Sequence, residues 1–179
     1  PAGFFLSKAY TERRPMGEGN ARAITLGGSW GTWQGYGWRE VLDLGTREEC
    51  FITVQGQEQC FETDADASTV IAAMIAGGLA GLVAGTAISA RGPIAPGTAT
   101  LANFGALWGS GFATAAGVFL DVEDDPLLAT ALIGGNAGLL GGALLGRARP
   151  MSRGRARLIN IAGVVGLLAG VGIDLLLLN

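Results

Sequence analysis

The sequence predicts an all-α membrane protein made of tandem αα-hairpin repeats of about 57 residues, with one extramembrane loop closed as a β-hairpin. Its 179 residues are 49% hydrophobic and only 15% charged, whereas about a quarter of the residues of a soluble domain are charged. Residues 127–146, LLATALIGGNAGLLGGALLG, carry no charge over a length that crosses a bilayer. Glycine recurs there at every fourth position, which places a bare stripe along one face of a helix.

Two internal alignments indicate the repeats. The first lays the last third of the chain on its middle third without a gap, so that AGGLAGLVAG (76–85) meets IGGNAGLLGG (133–142). The second lays Pro15 on Pro93 and Gly3 on Gly81, and its larger offset marks an insertion in the chain. We therefore predict four segments: an incomplete first repeat (1–44), an inserted polar loop (45–65), a second repeat (66–122) and a third repeat (123–179).

In chain order, the first repeat supplies a half helix before Tyr10 and a helix near 24–44. The second repeat is predicted to form a helical hairpin of 69–90 with 98–120, and the third repeat one of 127–147 with 157–178. Gly and Pro residues mark the turns. Small residues recur every four positions in each helix, and we expect them to lie at helix–helix contacts. The predicted packing glycines are Gly27, Gly31, Gly35, Gly77, Gly81, Gly85, Gly105, Gly109, Gly117, Gly134, Gly138, Gly142, Gly166 and Gly170.

The charges of successive turns alternate in sign. Arginines cluster at Arg13–Arg22, at Arg91 and at Arg147–Arg157, whereas acidic residues cluster at 40–66 and 121–125. The positive-inside rule then predicts five membrane crossings plus a partial one, with Arg147–Arg157 in the cytoplasm. We expect a bacterial membrane with the cysteine loop on the periplasmic or extracellular side. A β-barrel is disfavoured because the glycine period is near four rather than two.

Cys50 and Cys60 enclose FITVQGQEQ, an apolar–polar alternation with a central Gly that predicts a small hairpin closed by a disulfide. A pair of metal-binding thiols is the alternative, but too few further ligands exist. The chain has no His and no phosphate-binding loop, so we expect no catalytic residue, no metal site and no cofactor. Its net charge of −3 argues against nucleic-acid binding.

Several polar groups have two interpretations. The aromatic run WGTWQGYGW (30–38) fits helix packing and an interfacial belt, with carbohydrate or lipid-headgroup binding as the alternative. Asn103, Asn136 and Asn160 are expected to form interhelical hydrogen bonds. The acidic turn at 121–125 is interpreted as solvated, with a weak Ca²⁺ site as the alternative. Arg39 and Asp174 replace small residues at equivalent depth, so they either form an intramembrane ion pair or snorkel to the interface.

The stripes Gly77-Gly81-Gly85 and Gly134-Gly138-Gly142-Gly146 resemble those of glycine-zipper membrane proteins, in which GxxxGxxxG helices pack into compact bundles or oligomers. The resemblance implies how the helices pack, and it implies no particular activity for this chain. We therefore expect a non-enzymatic structural module that anchors a larger protein or complex in the membrane and exposes the disulfide loop as its partner-contact surface. The expected partners are the bilayer and other membrane-protein subunits. A channel or transporter built from helical repeats is the alternative.

Overall fold

A computed structural model describes residues 16–52, 54, 56–63 and 66–177, which form five α-helices and one two-stranded antiparallel sheet. The half helix predicted before Tyr10 lies outside the described residues. In chain order the elements are α1 (Glu18–Val41), β1 (Arg47–Ile52), β2 (Glu58–Thr63), α2 (Ala67–Ser89), α3 (Pro96–Phe119), α4 (Asp124–Ala148) and α5 (Arg153–Leu177).

The helix boundaries follow local backbone chemistry. Pro96 opens α3, where its fixed φ suits the first helical position and its missing N–H costs no hydrogen bond. Beyond the C-terminus of α1, Asp43 and Gly45 adopt positive φ values of 48° and 94°. Asp121 has a φ of 53° in the turn after α3. These left-handed residues turn the chain at the ends of α1 and α3.

Two antiparallel helix pairs, α1 with α2 and α3 with α4, are packed backbone against backbone. A Cβ placed on Gly31 would lie 3.0 Å from the Cα of Gly81 on the facing helix. In the second pair, a Cβ placed on Gly138 would lie 3.0 Å from the Cα of Gly109. Real Cβ atoms are seldom found so close to another backbone, so larger residues at these glycines would push the helices apart.

The sequence-based assignment of hairpin partners is wrong. It paired α2 with α3 and α4 with α5, but the Cα atoms of those helices stay more than 8 Å apart over the described residues. The reason is that each helix has one narrow glycine face. The faces of α2 and α4 are occupied by the preceding helices, α1 and α3, so the connections at 90–95 and 149–152 lead to helices packed elsewhere.

The helix at the centre of the bundle is α3, which contacts α1, α4 and α5, and α1 also contacts α4. Consistent with close backbone packing, the buried apolar side chains are mostly small: Ala99, Leu101, Ala102, Ala106, Ala131, Leu132 and Ala156. Large apolar side chains instead point outward from α2, α4 and α5.

Three of the described helices are long and apolar enough to cross a bilayer, namely α2, Asp125–Ala148 of α4 and Arg153–Val171 of α5. The charge pattern predicted five crossings. The remaining two helices, α1 and α3, lie against other helices and carry many polar and small side chains, which lower their apolar character.

The alternating helix directions place the sorted charges at opposite ends of the bundle. We call the end that holds the starts of α1, α3 and α5 the basic end, and the opposite end, which holds the hairpin, the acidic end. Seven of the arginines that the structure describes lie at the basic end: Arg22, Arg91, Arg147, Arg149, Arg153, Arg155 and Arg157.

Charges of the minority sign also occur at each end. Glu18 lies at the basic end, where its carboxylate contacts Arg22 at 3.0 Å and Arg153 at 3.1 Å. These contacts lower the pKa of Glu18, chiefly through the hydrogen bond from Arg22. Arg39 and Arg47 lie at the acidic end.

Candidate partner-contact surface

The polar insertion forms a disulfide-closed hairpin, as predicted. Cys50 pairs directly with Cys60 in the register of β1 and β2, and their sulfurs are bonded at 2.02 Å. Directly opposite residues in an antiparallel ladder are close enough for such a bond when they form a non-hydrogen-bonded pair. The disulfide therefore fixes the strand register at one defined position.

One face of the hairpin carries an aromatic pair. Phe51 lies opposite Gln59, and Phe61 lies opposite Glu49, so the two rings meet on the diagonal. Their centroids are 5.3 Å apart in a stacked arrangement, yet each phenylalanine remains 53% exposed. The rings therefore support each other and still present apolar surface to the surroundings.

The apolar surface continues around the end of the hairpin. Ile52 is 76% exposed on the face that holds the disulfide, and Val54 is fully exposed in the turn. Exposed Glu48, Glu49 and Glu58 border this surface. We call Phe51, Ile52, Val54 and Phe61 the apolar tip. Clustered exposed apolar residues inside a polar rim are typical of protein–protein contact sites.

None of the described helices covers the apolar tip. Among the described residues, β1 and β2 pack only against each other, and their Cα atoms stay more than 8 Å from those of the helices. A two-stranded ribbon is marginally stable by itself in water. The disulfide is therefore the main restraint that keeps these four side chains together.

The same hairpin contains a possible ligand group. The sulfurs of Cys50 and Cys60 and a carboxylate oxygen of Glu58 all lie within 4.8 Å of one another. Because the two sulfurs are bonded to each other, neither is a thiolate, which is the form that binds metal. The oxidised hairpin offers the Glu58 carboxylate alone from this group.

Two of the four aromatic residues in the run on α1, Trp30 and Trp38, take part in a hydrogen-bond network that reaches α4. The indole N–H of Trp30 donates to Asn136 Oδ1 on α4 at 2.8 Å, and the Asn136 amide donates to Gln34 Oε1 at 3.0 Å. The indole N–H of Trp38 also donates to Gln34 Oε1, at 2.8 Å. This network favours the packing interpretation of the run over a carbohydrate site.

The predicted interhelical asparagines behave differently from one another. Asn160 of α5 accepts a hydrogen bond of 2.7 Å from Trp108 of α3, so both Asn136 and Asn160 join helices. Asn103 is exposed and lines a crevice of about 540 Å³ near the basic end. Arg22 and Arg157 lie at the edge of the same crevice.

The glycine stripe of α5 differs from the others. No described residue comes within 4 Å of a Cβ placed on Gly166 or Gly170. Gly117 of α3 faces the Leu127 side chain, 2.6 Å from such a Cβ, rather than a backbone.

Arg39 is buried at the acidic end of α1. Its Nε donates to the Leu44 carbonyl at 3.0 Å, and its guanidinium contacts Glu40. These bonds give the Arg39 guanidinium hydrogen-bond partners at the C-terminal end of its own helix. The side chain of Asp174 lies outside the described residues, so the proposed Arg39–Asp174 pair stays a prediction.

Sequence reasoning identified the hairpin and its disulfide but not the apolar tip. The alternation in FITVQGQEQ indicated strands, and a hairpin with one apolar face is ordinarily taken to bury that face. The exposure of the apolar tip is indicated only indirectly. The insertion connects α1 to α2, and the contact faces of these two helices are already occupied by each other. The Asn136 partner of Trp30 was equally hard to predict, since α4 follows α1 only after a long stretch of chain.

Comparison with protein-family models, with characterised proteins and with solved structures gives no match to this chain.

Proposed function

We propose that this chain is a non-enzymatic integral-membrane module that anchors a larger protein or complex and presents the hairpin to a partner outside the cytoplasm. The observation that carries the proposal is the apolar tip, which is restrained by a disulfide and left uncovered by the five described helices. Exposing apolar side chains to water without a partner is unfavourable, and a rigid arrangement lowers the entropy lost on binding.

Two features support the membrane assignment. Large apolar residues are exposed along the full length of α5 and around α2 and α4, where a lipid phase would solvate them. Most of the described arginines and most of the described acidic groups lie at opposite ends of the helices, as the positive-inside rule predicts for a membrane bundle. Together these features support an orientation in which the basic end faces the cytoplasm.

A disulfide supports the same orientation, because such bonds persist in the periplasm or outside the cell and are rare in the cytosol. The hairpin is the element that carries both cysteines of the chain. Its location at the acidic end therefore agrees with the orientation derived from the arginines.

Side-specific labelling tests the orientation. In right-side-out vesicles, a membrane-impermeant phosphine followed by an impermeant maleimide should label Cys50 and Cys60, which are exposed. As the matched probe, Ser152→Cys in a Cys50→Ser/Cys60→Ser background should be labelled in inside-out vesicles alone. Labelling of both positions from one side would contradict the model.

Photo-cross-linking in intact cells tests the partner surface. A photoreactive side chain at Phe61 should yield a discrete protein adduct, because this position lies in the apolar tip. The same group at Glu123, which is exposed at the acidic end outside the hairpin, should yield none. The Phe61 adduct should also disappear in the Cys50→Ser/Cys60→Ser variant. Absence of a Phe61 adduct, or equal adducts at both positions, would argue against the proposal.

The transport alternative is addressed with the purified chain in sealed liposomes. An anchoring module leaves ion and small-solute flux at the level of protein-free liposomes. Flux that depends on the chain and is abolished by substitution of polar residues in the helices would favour a channel or transporter instead.

A further inference from the structure

We propose that the crevice at the basic end binds one anionic phospholipid of the cytoplasmic leaflet, with the lipid phosphate at Arg22 and Arg157 and an acyl chain against Leu26 and Phe104. The crevice has a volume of about 540 Å³, and its described walls belong to α1, α3 and α5. The inference rests on the membrane placement and orientation of the proposed function, and it adds a lipid of defined charge to the partners of the chain.

Equivalent positions of three helices line the mouth of the crevice. The two repeat alignments place Arg22 on Thr100 and Thr100 on Arg157, and all three residues line the crevice. Each of them lies four positions after the first residue of its helix, which corresponds to a depth of about 6 Å from the helix start. Arginines of two different helices therefore border one opening at the same level.

Positive charge exceeds negative charge at this mouth. The Glu18 carboxylate, which also lines the crevice, is bound by Arg22 at 3.0 Å and by Arg153 at 3.1 Å. No described carboxylate lies within 4.0 Å of the Arg157 guanidinium. Three guanidinium groups thus face one carboxylate, and the excess charge suits a phosphate, which arginine binds through charge-assisted hydrogen bonds.

An unpaired amide lies deeper in the crevice than the arginines. Asn103 is exposed and forms no side-chain hydrogen bond with the described residues, whereas Asn136 and Asn160 each accept one from a tryptophan. It lies seven positions after the start of α3, at a depth of about 10 Å. The two amide N–H donors of Asn103 suit the ester carbonyl oxygens of a phospholipid, which lie below its phosphate.

The deeper part of the crevice has apolar walls. Leu26 of α1 and Phe104 of α3 occupy equivalent positions of the repeats, each eight residues after the start of its helix. Their depth is therefore about 12 Å, which lies within the roughly 15 Å of one leaflet of hydrocarbon. From the mouth inward the walls are charged, then polar, then apolar, in the same order as the parts of a phospholipid.

The location of the crevice favours a lipid over a soluble anion. Anionic lipids of the cytoplasmic leaflet are attracted to basic residues beside membrane helices, and basic pockets between such helices bind their headgroups. A free phosphate would use only the arginines at the mouth and would leave Leu26 and Phe104 in contact with water. A lipid with an acyl chain covers both parts of the crevice.

Native mass spectrometry of the detergent-solubilised full chain tests the site. Titration with phosphatidylglycerol should give one saturable adduct per chain, and phosphatidylcholine with the same acyl chains should bind at least about tenfold more weakly. Phosphatidylglycerol should also raise the thermal midpoint, because a ligand of the folded state stabilises it. Equal affinities for the two lipids, or no adduct with either, would overturn the proposal.

Two double variants separate the crevice from the general charge of the basic end. Arg22→Gln/Arg157→Gln should weaken phosphatidylglycerol binding about thirtyfold, since each basic residue beside an anionic lipid contributes about fivefold. Arg147→Gln/Arg149→Gln removes the same charge from exposed positions of the same end and should leave the affinity nearly unchanged. Equal losses in both double variants would mean that the lipid does not bind in the crevice.

A filling variant keeps every charge in place. Thr25 lines the crevice, is exposed, and donates its hydroxyl hydrogen only within α1. Thr25→Trp should therefore leave the lipid-free thermal midpoint nearly unchanged and weaken phosphatidylglycerol binding by reducing the space between α1 and α3. Unchanged lipid affinity in this variant would place the lipid elsewhere and contradict the proposal.

Inorganic phosphate distinguishes the two sources of the same anionic group. Added in excess, it should neither displace phosphatidylglycerol nor raise the thermal midpoint, and displacement would show an anion site without a lipid tail. Failure of the lipid site also differs from failure of the proposed function. A chain that inserts into phosphatidylcholine liposomes with the predicted labelling, but shows no preference for phosphatidylglycerol, keeps the anchoring role and loses the lipid site.

Discussion

At the scale of single residues, the glycines of α4 provide a direct comparison of contact and non-contact positions. Gly138 faces α3 so closely that a Cβ would lie 3.0 Å from the Gly109 Cα, whereas no described residue is within 4 Å of a Cβ on Gly141. We expect Gly138→Leu to lower the free energy of unfolding by about 1–3 kcal/mol, as overpacking does in a well-packed core.

The matched control is Gly141→Leu, which changes the same residue type one turn further along the same helix. It should be neutral or slightly stabilising, because it removes a helix-unfavourable glycine without steric conflict. Unfolding of both variants in detergent gives the measurement. Equal losses of stability would mean that the contact face of α4 has been assigned incorrectly.

Asn136 is the second residue at which packing can be tested, since it accepts from Trp30 and donates to Gln34. Asn136→Ala leaves the Trp30 indole N–H without its partner, at an expected cost of about 1–2 kcal/mol. The control is Asn103→Ala, at an exposed position of α3, which we expect to be nearly silent.

A double-mutant cycle with Trp30→Phe separates this hydrogen bond from general effects of the substitution. Trp30→Phe removes the donor, so Asn136→Ala should cost less in that background than in the wild type. Strictly additive losses would show that the two side chains do not interact in the folded protein.

At the scale of elements, the hairpin and the helices make separate contributions to stability. No described helix contacts β1 or β2, so we expect Cys50→Ser/Cys60→Ser to leave the thermal midpoint of the helical bundle almost unchanged. The hairpin should lose order, because the disulfide closes a short loop and contributes about 3 kcal/mol by the chain-entropy estimate.

Hydrogen exchange followed by peptide mass spectrometry measures both effects at once. Amides of 47–52 and 58–63 should lose protection in the double-serine variant, whereas those of α3 should exchange as in the wild type. A large fall in the protection of α3 would show that the hairpin stabilises the bundle after all.

The elements themselves could be predicted from sequence in good part. The helix predicted at 127–147 is observed at Asp124–Ala148, and the one at 98–120 at Pro96–Phe119, because apolar length, Pro and Gly define such segments locally. The start of α1 was placed near 24 instead of Glu18, since Glu18–Ala23 carries polar and charged residues that resemble a turn. The pairing of Trp30 with Asn136 was out of reach, because it joins residues 106 positions apart.

At the scale of the whole molecule, the glycine stripes of α1, α2 and α4 lie at helix contacts, but the neighbours assigned from the sequence were wrong. Both pairings place glycine against glycine, so the stripe alone cannot decide between them. The pairing of the helices is decided by the connections between them, because a connection must let two glycine faces meet in antiparallel register. The connection from Ser89 to Pro96 sends α3 to contact α1, and the long connection at 42–66, which contains the insertion, still returns α2 onto α1.

Opposite charges at the two ends of the bundle were predictable because they depend only on the order of helices along the chain. Their effect on orientation is a property of the whole molecule, since each end gathers residues from several helices. Among the described residues, Glu18 is the exception at the basic end, and its contacts to Arg22 and Arg153 explain why an acidic residue is tolerated there.

The two helix pairs are closed in very different ways at the acidic end. Residues 120–123 suffice to join α3 to α4, whereas 42–66 join α1 to α2 and include the hairpin. The same kind of helix pair thus forms whether its connection is a tight turn or a long insertion. The bundle consequently behaves as a scaffold with exchangeable display loops, and the connection at 120–123 is the natural site for grafting a second hairpin or a foreign epitope.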